Sequence, residues 1–267
     1  MLINEPAPEK ISDCLSVVIP VYNEERTLSN VVIKLLRIPH LLEIIIVDDC
    51  STDRTEEISK TLAAENEIVR YVKQARNMGK TAALRTGFAL TVGAVVIVQD
   101  ADLEYDPADI PAVIAPILEG YADVVYGSRF MVKRATRVLY FYHYLANKGL
   151  TFISNMLTNL NMTDVETCYK AFRGDIIRNL IITSTGFGFE IEVTAKVAKL
   201  NCAVYEVPIS YFGRTYEEGK KITYRDGIAA FFYILRFNLF CNREQSFKSI
   251  PLTPAFKPAA LNQYNEQ

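Results

Sequence analysis

Short apolar runs alternate with amphipathic stretches along the first half of the chain. An uninterrupted apolar run suits a strand that is buried on both faces, and five such runs predict strands at residues 15–20, 43–48, 68–72, 94–98 and 123–126. Apolar residues at helical spacing, or helix-capping residues, predict helices at residues 26–37, 53–64, 80–91 and 108–119. Strands that alternate with helices predict a mostly parallel α/β sheet with right-handed crossovers and flanking helices.

The pattern changes after residue 130. Residues 168–172 and 202–207 predict further strands, and residues 190–200 a helix. Two longer helices are predicted at residues 138–160, with a break at 147–149, and at residues 224–241. The polar segments at residues 1–14 and 242–267 predict a short leading segment and a flexible tail. A single domain is therefore expected over residues 15–241, with C-terminal amphipathic helices.

Composition narrows the function classes. The 267 residues are 50% hydrophobic and 22% charged, with a net charge of −2, so nucleic acid is not an expected partner. The five cysteines show no Cys-x-x-Cys spacing, and there are only two histidines, so neither a disulfide framework nor a zinc centre is indicated. The N-terminus lacks the apolar core of a signal peptide, and no apolar run has the length of a spanning helix. An intracellular protein is expected.

Acidic residues follow the fourth predicted strand. Asp100, Asp102 and Glu104 alternate just past an apolar run, at the strand end where open α/β sheets bind ligands. Mg²⁺ and Mn²⁺ prefer such oxygen ligands, together with substrate phosphates. A metal site is the favoured interpretation, and a solvated loop that caps the next helix is the alternative.

Two earlier strand ends carry further candidates. After the first strand, Tyr22 could stack on a base and Glu24 could accept a hydrogen bond, although acids also suit an ordinary helix start. After the second strand, Asp49 could accept from a base N–H. Asp53 suits either a ligand contact or a helix cap.

Two basic segments suit an anionic ligand. Residues 77–81 are not a P-loop, because that motif needs a glycine where this chain has Gln74. Gly79 and Lys80 nevertheless lie at a predicted helix start, where backbone N–H groups can meet phosphate. Residues 213–221 have a glycine near each end and three basic residues, so they can fold over an anion or form a mobile surface loop.

Two apolar segments could face a membrane surface. Residues 133–160 and 228–237 combine aromatic side chains with Lys and Arg, which is typical of helices lying in a membrane interface. The alternative is a core helix or the interface of a homo-oligomer.

Taken together, the motifs resemble family 2 glycosyltransferases with the GT-A fold. The matching stretches, in order, are Val18-Ile19-Pro20-Val21-Tyr22-Asn23-Glu24, Val47-Asp48-Asp49-Cys50-Ser51-Thr52-Asp53, Arg76-Asn77-Met78-Gly79-Lys80 and Asp100-Ala101-Asp102. Later stretches resemble the dolichyl-phosphate mannosyltransferase branch: Gly127-Ser128-Arg129-Phe130, Cys168-Tyr169-Lys170-Ala171-Phe172-Arg173, Phe187-Gly188-Phe189-Glu190-Ile191-Glu192 and the 214–221 loop. The resemblance implies a Rossmann-like sheet, a nucleotide-sugar half at residues 15–130 and an acceptor half at residues 131–241.

The resemblance also implies roles for individual residues. The implied nucleotide contacts are Pro20, Tyr22, Glu24, Asp49, Gly79, Lys80, Asp100 and Ala101. The implied catalytic residues are Asp100, Asp102, Arg129, Arg214 and Lys221, of which the three basic residues would meet phosphates. Asp102 would hold Mg²⁺ or Mn²⁺, with Glu104 standing where the branch often has a glutamine.

The implied reaction is metal-dependent transfer of a hexose, with inversion, from GDP-mannose or UDP-glucose to dolichyl or undecaprenyl phosphate. The enzyme would work on the cytoplasmic face of a membrane, in cell-envelope glycan synthesis. A phosphate acceptor is largely dianionic at pH 7, so no general base is predicted. Two alternatives remain, a transferase with a non-lipid acceptor and a non-catalytic nucleotide-binding module. A processive synthase is disfavoured because its Gln-x-x-Arg-Trp motif needs a tryptophan, and the chain has none.

Overall fold

The predicted α/β fold is confirmed, with one mostly parallel sheet flanked by helices. The computed structural model describes residues 13–131, 137, 140–215, 217 and 224–251. Within these residues the strands are β1 (Leu15–Val21), β2 (Leu41–Asp48), β3 (Val69–Lys73), β4 (Val95–Val98), β5 (Val124–Ser128), β6 (Lys170–Arg173) and β7 (Val204–Pro208). They form a seven-stranded sheet in the order β3-β2-β1-β4-β6-β5-β7.

Helices cover the sheet and extend beyond it. The helices of the described residues are α1 (Leu28–Leu35), α2 (Thr55–Glu65), α3 (Lys80–Leu90), α4 (Ile110–Leu118), α5 (Phe141–Thr158), α6 (Gly174–Asn179), α7 (Phe189–Ala198) and α8 (Tyr224–Leu239). A 3-10 turn at Pro107–Asp109 leads into α4, and α6 is a short helix that the sequence pattern did not predict. None of these helices is both long and apolar enough to cross a bilayer.

The core lies around the central strands. Every residue of β1 is buried, as the uninterrupted apolar run predicts for a central strand. Helix α3 packs closely on β1 because Gly87 has no side chain: a Cβ there would lie 2.3 Å from Val18 Cγ1. This contact fixes the N-terminus of α3 relative to the strand ends.

Strand β6 runs antiparallel within this mostly parallel sheet. It pairs antiparallel with both β4 and β5, while β7 is parallel to β5. The connection before β6 contains α5, which packs on α7 and α8 rather than crossing the sheet. The chain therefore re-enters the sheet from the edge at which β5 ends, and β6 must run in the opposite direction.

The expected break in the 138–160 helix is absent. Helix α5 runs through Gly149 without interruption and ends at Asn159, whose φ of 57° closes it. An interior glycine costs a helix roughly 1 kcal/mol, which packing against α7 and α8 can offset. Residues 138–139 lie outside the described residues.

The first part of the predicted flexible tail, residues 242–251, packs against the domain. Residues 242–251 are held against the domain, because Ile181 N donates to Ser246 O at 2.9 Å and Lys248 N donates to Asn179 O at 2.8 Å. Phe247 is buried and joins the main core. The expectation of a loose chain from residue 242 is therefore wrong for this segment, and residues 252–267, like residues 1–12, lie outside the described part.

Candidate active site

The carboxyl ends of β1, β2 and β4 meet at one edge of the sheet. In the parallel register Val21 lies beside Asp48, and Val18 lies beside Val98. The loops that follow these strands carry most of the predicted site residues, so the topology brings those residues together as expected.

The β1 loop is held by hydrogen bonds to the β2 loop. Asn23 adopts a left-handed conformation with φ 52°, and its N–H donates to Ser51 Oγ at 3.0 Å. Glu24 N–H donates to Thr55 Oγ1 at 2.9 Å. Pro20 is buried beneath this loop, whereas the Tyr22 side chain is exposed at the surface, where a ring could stack on a base.

Asp49 supports the turn before α3. Its carboxylate accepts from Met78 N at 2.8 Å and from Gly79 N at 2.7 Å, and the residue is buried. A carboxylate has further acceptor positions, so contact with a base stays a prediction. Asp53 acts as a cap: its Oδ1 accepts from Thr55 N at 3.0 Å at the start of α2.

Gly79 brings the start of α3 against a distant loop. Its φ is 87°, and a Cβ there would lie 3.2 Å from Gly186 Cα, so a glycine is needed for both reasons. Thr81 N donates to Gly186 O at 3.0 Å, which docks the 183–188 loop on the helix. This contact places the first turn of α7 beside Lys80.

Lys80 joins two acids from different halves of the chain. Its Nζ lies 2.9 Å from Asp100 Oδ1 and 3.1 Å from Glu190 Oε1. Burial alone would lower the pKa of Lys80, but the neighbouring acids, Asp100 foremost, raise it well above its ordinary value. Lys80 is therefore a charged, partly buried cation next to the expected ligand position.

The acidic loop after β4 is built from buried contacts. Gln99 is fully buried, donates to Tyr105 O at 3.4 Å and accepts from Tyr169 OH at 2.5 Å. Asp102 Oδ1 accepts from Glu104 N at 3.1 Å, which forms a tight turn across Leu103 (φ 61°). Ala101, predicted to contact the nucleotide, is buried.

Arg214 enters the acidic loop from the other half of the chain. Its Nη2 donates to Asp102 Oδ2 at 2.7 Å and to Glu24 Oε1 at 3.3 Å. Glu104 accepts from the Arg214 backbone N–H at 2.8 Å and from Tyr211 OH at 2.9 Å. The three carboxylates and the guanidinium form what we call the acidic cluster: Glu24, Asp102, Glu104 and Arg214.

The electrostatics of the acidic cluster favour a second cation. Burial, followed by the charges of Asp100 and Glu104, raises the pKa of Asp102 to about 7, and Arg214 opposes that rise. Burial would lower the pKa of Arg214, but the carboxylates, Asp102 foremost, raise it. The excess of negative charge is therefore only partly neutralised by Arg214.

Arg129 lies in a buried ion pair rather than at an open surface. Its Nε and Nη2 each lie 2.7 Å from an oxygen of Asp164, and its guanidinium stacks 5.2 Å from the centre of the Tyr211 ring. Burial would raise the pKa of Asp164, but the Arg129 charge lowers it below its ordinary value. Contact of Arg129 with a phosphate stays a prediction.

A sequence profile decides the family. The profile of glycosyl transferase family 2 matches residues 16–181, well over half of the chain. The chain belongs to glycosyl transferase family 2. The resemblance found in the motifs is thereby confirmed.

Curated relatives of this family 2 chain are transferases that act on polyprenyl phosphates. The undecaprenyl-phosphate mannosyltransferase of Micrococcus luteus is 30% identical over 214 residues, which cover 76% of this chain and 85% of that protein. The dolichol-phosphate mannosyltransferase of Pyrococcus furiosus is 31% identical, over 77% of this chain and 58% of its own length. An undecaprenyl-phosphate 4-deoxy-4-formamido-L-arabinose transferase of Pectobacterium carotovorum is 36% identical, over 62% and 51%. The chain thus spans little more than half of the latter two.

Solved structures agree with the fold. Glucosyl-3-phosphoglycerate synthase from Mycobacterium tuberculosis, in complex with Mn²⁺, UDP and glucosyl-3-phosphoglycerate, superposes with a TM-score of 0.65 at 21% identity, covering 86% of this chain and 81% of that one. The same synthase with Mn²⁺ and UDP-glucose gives a TM-score of 0.66 at 19% identity, covering 86% and 80%.

The acidic cluster of the family 2 chain fits a divalent metal in its donor chemistry. No group of three or more His, Cys, Asp or Glu residues within the described ranges is arranged to hold a metal by itself. Asp102 and Glu104 supply two carboxylates, and both already contact Arg214. Mg²⁺ and Mn²⁺ commonly take one or two protein carboxylates and complete their shell with substrate phosphates and water.

The structure adds residues that the motifs did not assign. Asp164 and Glu190 each pair with a cation of the site, and each is buried. Both acids lie in the second half of the chain. The signal available in the sequence was an acidic residue that follows a loop. Lys221, the remaining predicted cation, lies outside the described residues.

Proposed function

We propose that this chain transfers a sugar from a nucleotide-sugar donor to a polyprenyl phosphate, with inversion at the anomeric carbon. The observation that carries this proposal is the acidic cluster, in which Arg214 from the acceptor half contacts Asp102 and Glu24 from the nucleotide half. The names of the curated relatives support the same acceptor class.

The nucleotide would lie across the ends of β1 and β2. The exposed Tyr22 would stack on the base, and Glu24 and Asp49 would accept from base or ribose groups. Gly79 and Lys80 would contact the phosphates from the start of α3. Pro20 and Ala101 would shape the floor of this site, because both are buried beneath it.

Asp102 and Glu104 would hold Mg²⁺ or Mn²⁺. When bound, the metal would stabilise negative charge on the departing diphosphate. Asp100, which pairs with Lys80, would lie beside the ribose or sugar. Arg129, Arg214 and Lys221 would hold the acceptor phosphate in line with the anomeric carbon, and a dianionic phosphate needs no protein base.

The acceptor would be reached at a membrane surface. Phe141, Tyr142 and Phe152 on α5 are exposed, as is Phe232 on the adjoining α8. Exposed aromatic groups on amphipathic helices are typical of interfacial binding. Co-sedimentation with vesicles containing anionic lipid should decrease for the double variant Phe141→Ser, Tyr142→Ser. A change from dimer to monomer in that variant, with vesicle binding kept, would point to a homo-oligomer interface instead.

One assay separates the candidate functions. Purified protein is incubated with radiolabelled GDP-mannose or UDP-glucose, Mn²⁺, and either a short polyprenyl phosphate or a soluble sugar, and the products are extracted into organic solvent. Label in the organic phase only with polyprenyl phosphate supports the proposal, and Asp102→Ala should abolish it. Label transferred only to the soluble sugar favours a non-lipid acceptor. Nucleotide binding without donor consumption favours a non-catalytic module.

A further inference from the structure

A buried ion pair on α7 anchors the loop that precedes this helix. Glu192 and Lys196 lie one helical turn apart, both are buried, and their charged groups are 2.6 Å apart. The sequence motifs assigned neither residue a role in the site. A buried ion pair is weak evidence for stability, because the cost of taking the two charges out of water can exceed their attraction. The pair therefore calls for another explanation.

The carboxylate of Glu192 binds the backbone of the loop. It accepts from Thr183 N at 2.8 Å and from Ser184 N at 2.7 Å, and it also accepts from Thr183 Oγ1 at 3.0 Å. Lys196 Nζ donates both to this carboxylate and to Ile181 O. A carboxylate has about four acceptor positions, and the loop and the lysine together occupy them. The ion pair thus holds residues 181–184 against α7.

The same loop reaches the start of α3 two residues further on. Gly186 O accepts from Thr81 N at 3.0 Å and from Thr81 Oγ1 at 2.9 Å. Thr81 is fully buried and directly follows Lys80 in the chain. The contact between the loop and α3 is therefore only one residue away from the cation that was predicted to meet phosphate.

Helix α7 also contacts Lys80 directly. Glu190 Oε1 lies 3.1 Å from Lys80 Nζ, and Glu190 belongs to the same first turn of α7 as Glu192. Because Glu192 binds the loop to the helix, the loop contact at Thr81 and the helix contact at Lys80 belong to one unit. The position of Lys80 therefore depends on the ion pair of α7.

We propose that Glu192, together with Lys196, is a positioning residue that holds Lys80 and the start of α3 in place for the diphosphate of the donor. This inference rests on the proposed function, because that function gives Lys80 its phosphate contact. A long cationic side chain binds phosphate more tightly when it is held in place beforehand, since less conformational freedom is lost on binding. Loss of the ion pair should therefore weaken diphosphate binding only while Lys80 is present.

The test is a double-mutant cycle in which calorimetry measures the binding of GDP and UDP with Mn²⁺ present. The pair variant Glu192→Gln, Lys196→Met removes both charges, because removal of one would leave the other buried without a partner. It should bind the preferred diphosphate about 3- to 10-fold more weakly than the parent, the loss expected for about one hydrogen bond. In a Lys80→Met background the same pair change should alter the affinity by less than about twofold.

A second ion pair supplies the matched control. Arg173 Nη1 lies 2.7 Å from Asp123 Oδ1, which is largely buried, and the pair lies at the start of β4 and β5, the opposite end of the sheet from the site. Asp123→Asn with Arg173→Met should leave the diphosphate affinity unchanged, even if it lowers the Tm. This control separates a local effect on Lys80 from a general loss of stability.

Thr81→Val tests the same link without touching the ion pair. It removes only the hydroxyl contact to Gly186 O, so it should weaken diphosphate binding by about 2- to 5-fold, again only while Lys80 is present. Should the pair variant fail to fold, Thr81→Val decides the question alone.

The outcomes separate this inference from the proposed function. If the pair variant binds the diphosphate like the parent, or loses the same factor with and without Lys80, the role of Glu192 is structural only. This inference is then overturned, and the proposed function stands. If Lys80→Met binds the diphosphate as tightly as the parent, Lys80 makes no phosphate contact and the inference is also overturned. If the parent binds neither GDP nor UDP, the proposed function fails as well.

Discussion

Arg214 contacts Asp102, which we propose as a metal ligand, so removal of Arg214 should strengthen metal binding. The guanidinium donates to Asp102 Oδ2 at 2.7 Å and to Glu24 Oε1 at 3.3 Å. A metal that binds Asp102 must displace at least the first of these hydrogen bonds. We therefore expect Arg214→Ala to bind Mn²⁺ more tightly than the parent, although it should transfer sugar less well.

The magnitude follows from the geometry of the contact. A hydrogen bond between charged groups contributes about 1.5–3 kcal/mol, which corresponds to a change of about 10- to 150-fold in an equilibrium constant. The lower end applies here, because the Arg214 and Asp102 side chains remain 20% and 18% exposed and water screens the pair. An increase of about tenfold in Mn²⁺ affinity is therefore expected by linkage.

The assay is titration of Mn²⁺ by electron paramagnetic resonance, with and without GDP or UDP. Arg54→Ala is the matched control, since Arg54 is an exposed arginine that pairs with Glu57 on α2. The control should leave the Mn²⁺ affinity unchanged. If Arg214→Ala binds Mn²⁺ no more tightly than the parent, then Asp102 is not a metal ligand or Arg214 does not compete for it, and the reasoning fails.

Three further predictions concern Glu166, Asp49 and the buried Phe247. Burial, followed by the Glu190 charge, raises the pKa of Glu166 from 4.5 to about 7, so the folded protein binds more protons than the unfolded chain in that window and its stability falls as pH rises. Urea denaturation should find Glu166→Gln more stable than the parent at pH 8, by no more than roughly 3 kcal/mol, and similar at pH 4. Asp49→Asn leaves Met78 N or Gly79 N facing an amide NH₂, so nucleotide affinity should fall about 10-fold or more, with Asp53→Asn as the control. Phe247→Ala should destabilise the protein by about 3–5 kcal/mol, whereas a free tail would give no change.

Local sequence patterns predicted which strand ends carry the candidate site residues. They did not predict how the charged side chains of the site pair with one another. The strand ends that carry Glu24, Asp49 and Asp102 follow from apolar runs that stop at acidic residues, which is information within a few positions. The pairing of Lys80 with Glu190 depends on the contact between Gly79 and Gly186, more than a hundred positions apart. No periodicity in either segment encodes that contact.

The direction of β6 also depends on contacts between distant segments, which a local sequence pattern does not encode. The residues of β6 read as a strand from their own pattern, but its direction depends on where α5 packs. The Arg129–Asp164 pair follows from that packing, because α5 and the loop after it carry Asp164 back to the end of β5. Sequence reasoning found the arginine, and only the fold shows that an acid neutralises it.

The cations predicted to meet phosphates already pair with carboxylates, and these pairs determine how metal and nucleotide would affect each other's binding. Lys80, Arg129 and Arg214 are the described cations that were predicted to meet phosphates, and each is paired with one or more carboxylates. A diphosphate alone would have to compete with those carboxylates, and a divalent cation alone would have to compete with the Arg214 guanidinium. When both bind, the carboxylates can turn to the metal while the released cations turn to the phosphates, so neither set is left unpaired. Metal and nucleotide should therefore bind with positive cooperativity, and because such coupling is reciprocal, each should raise the affinity for the other by the same factor.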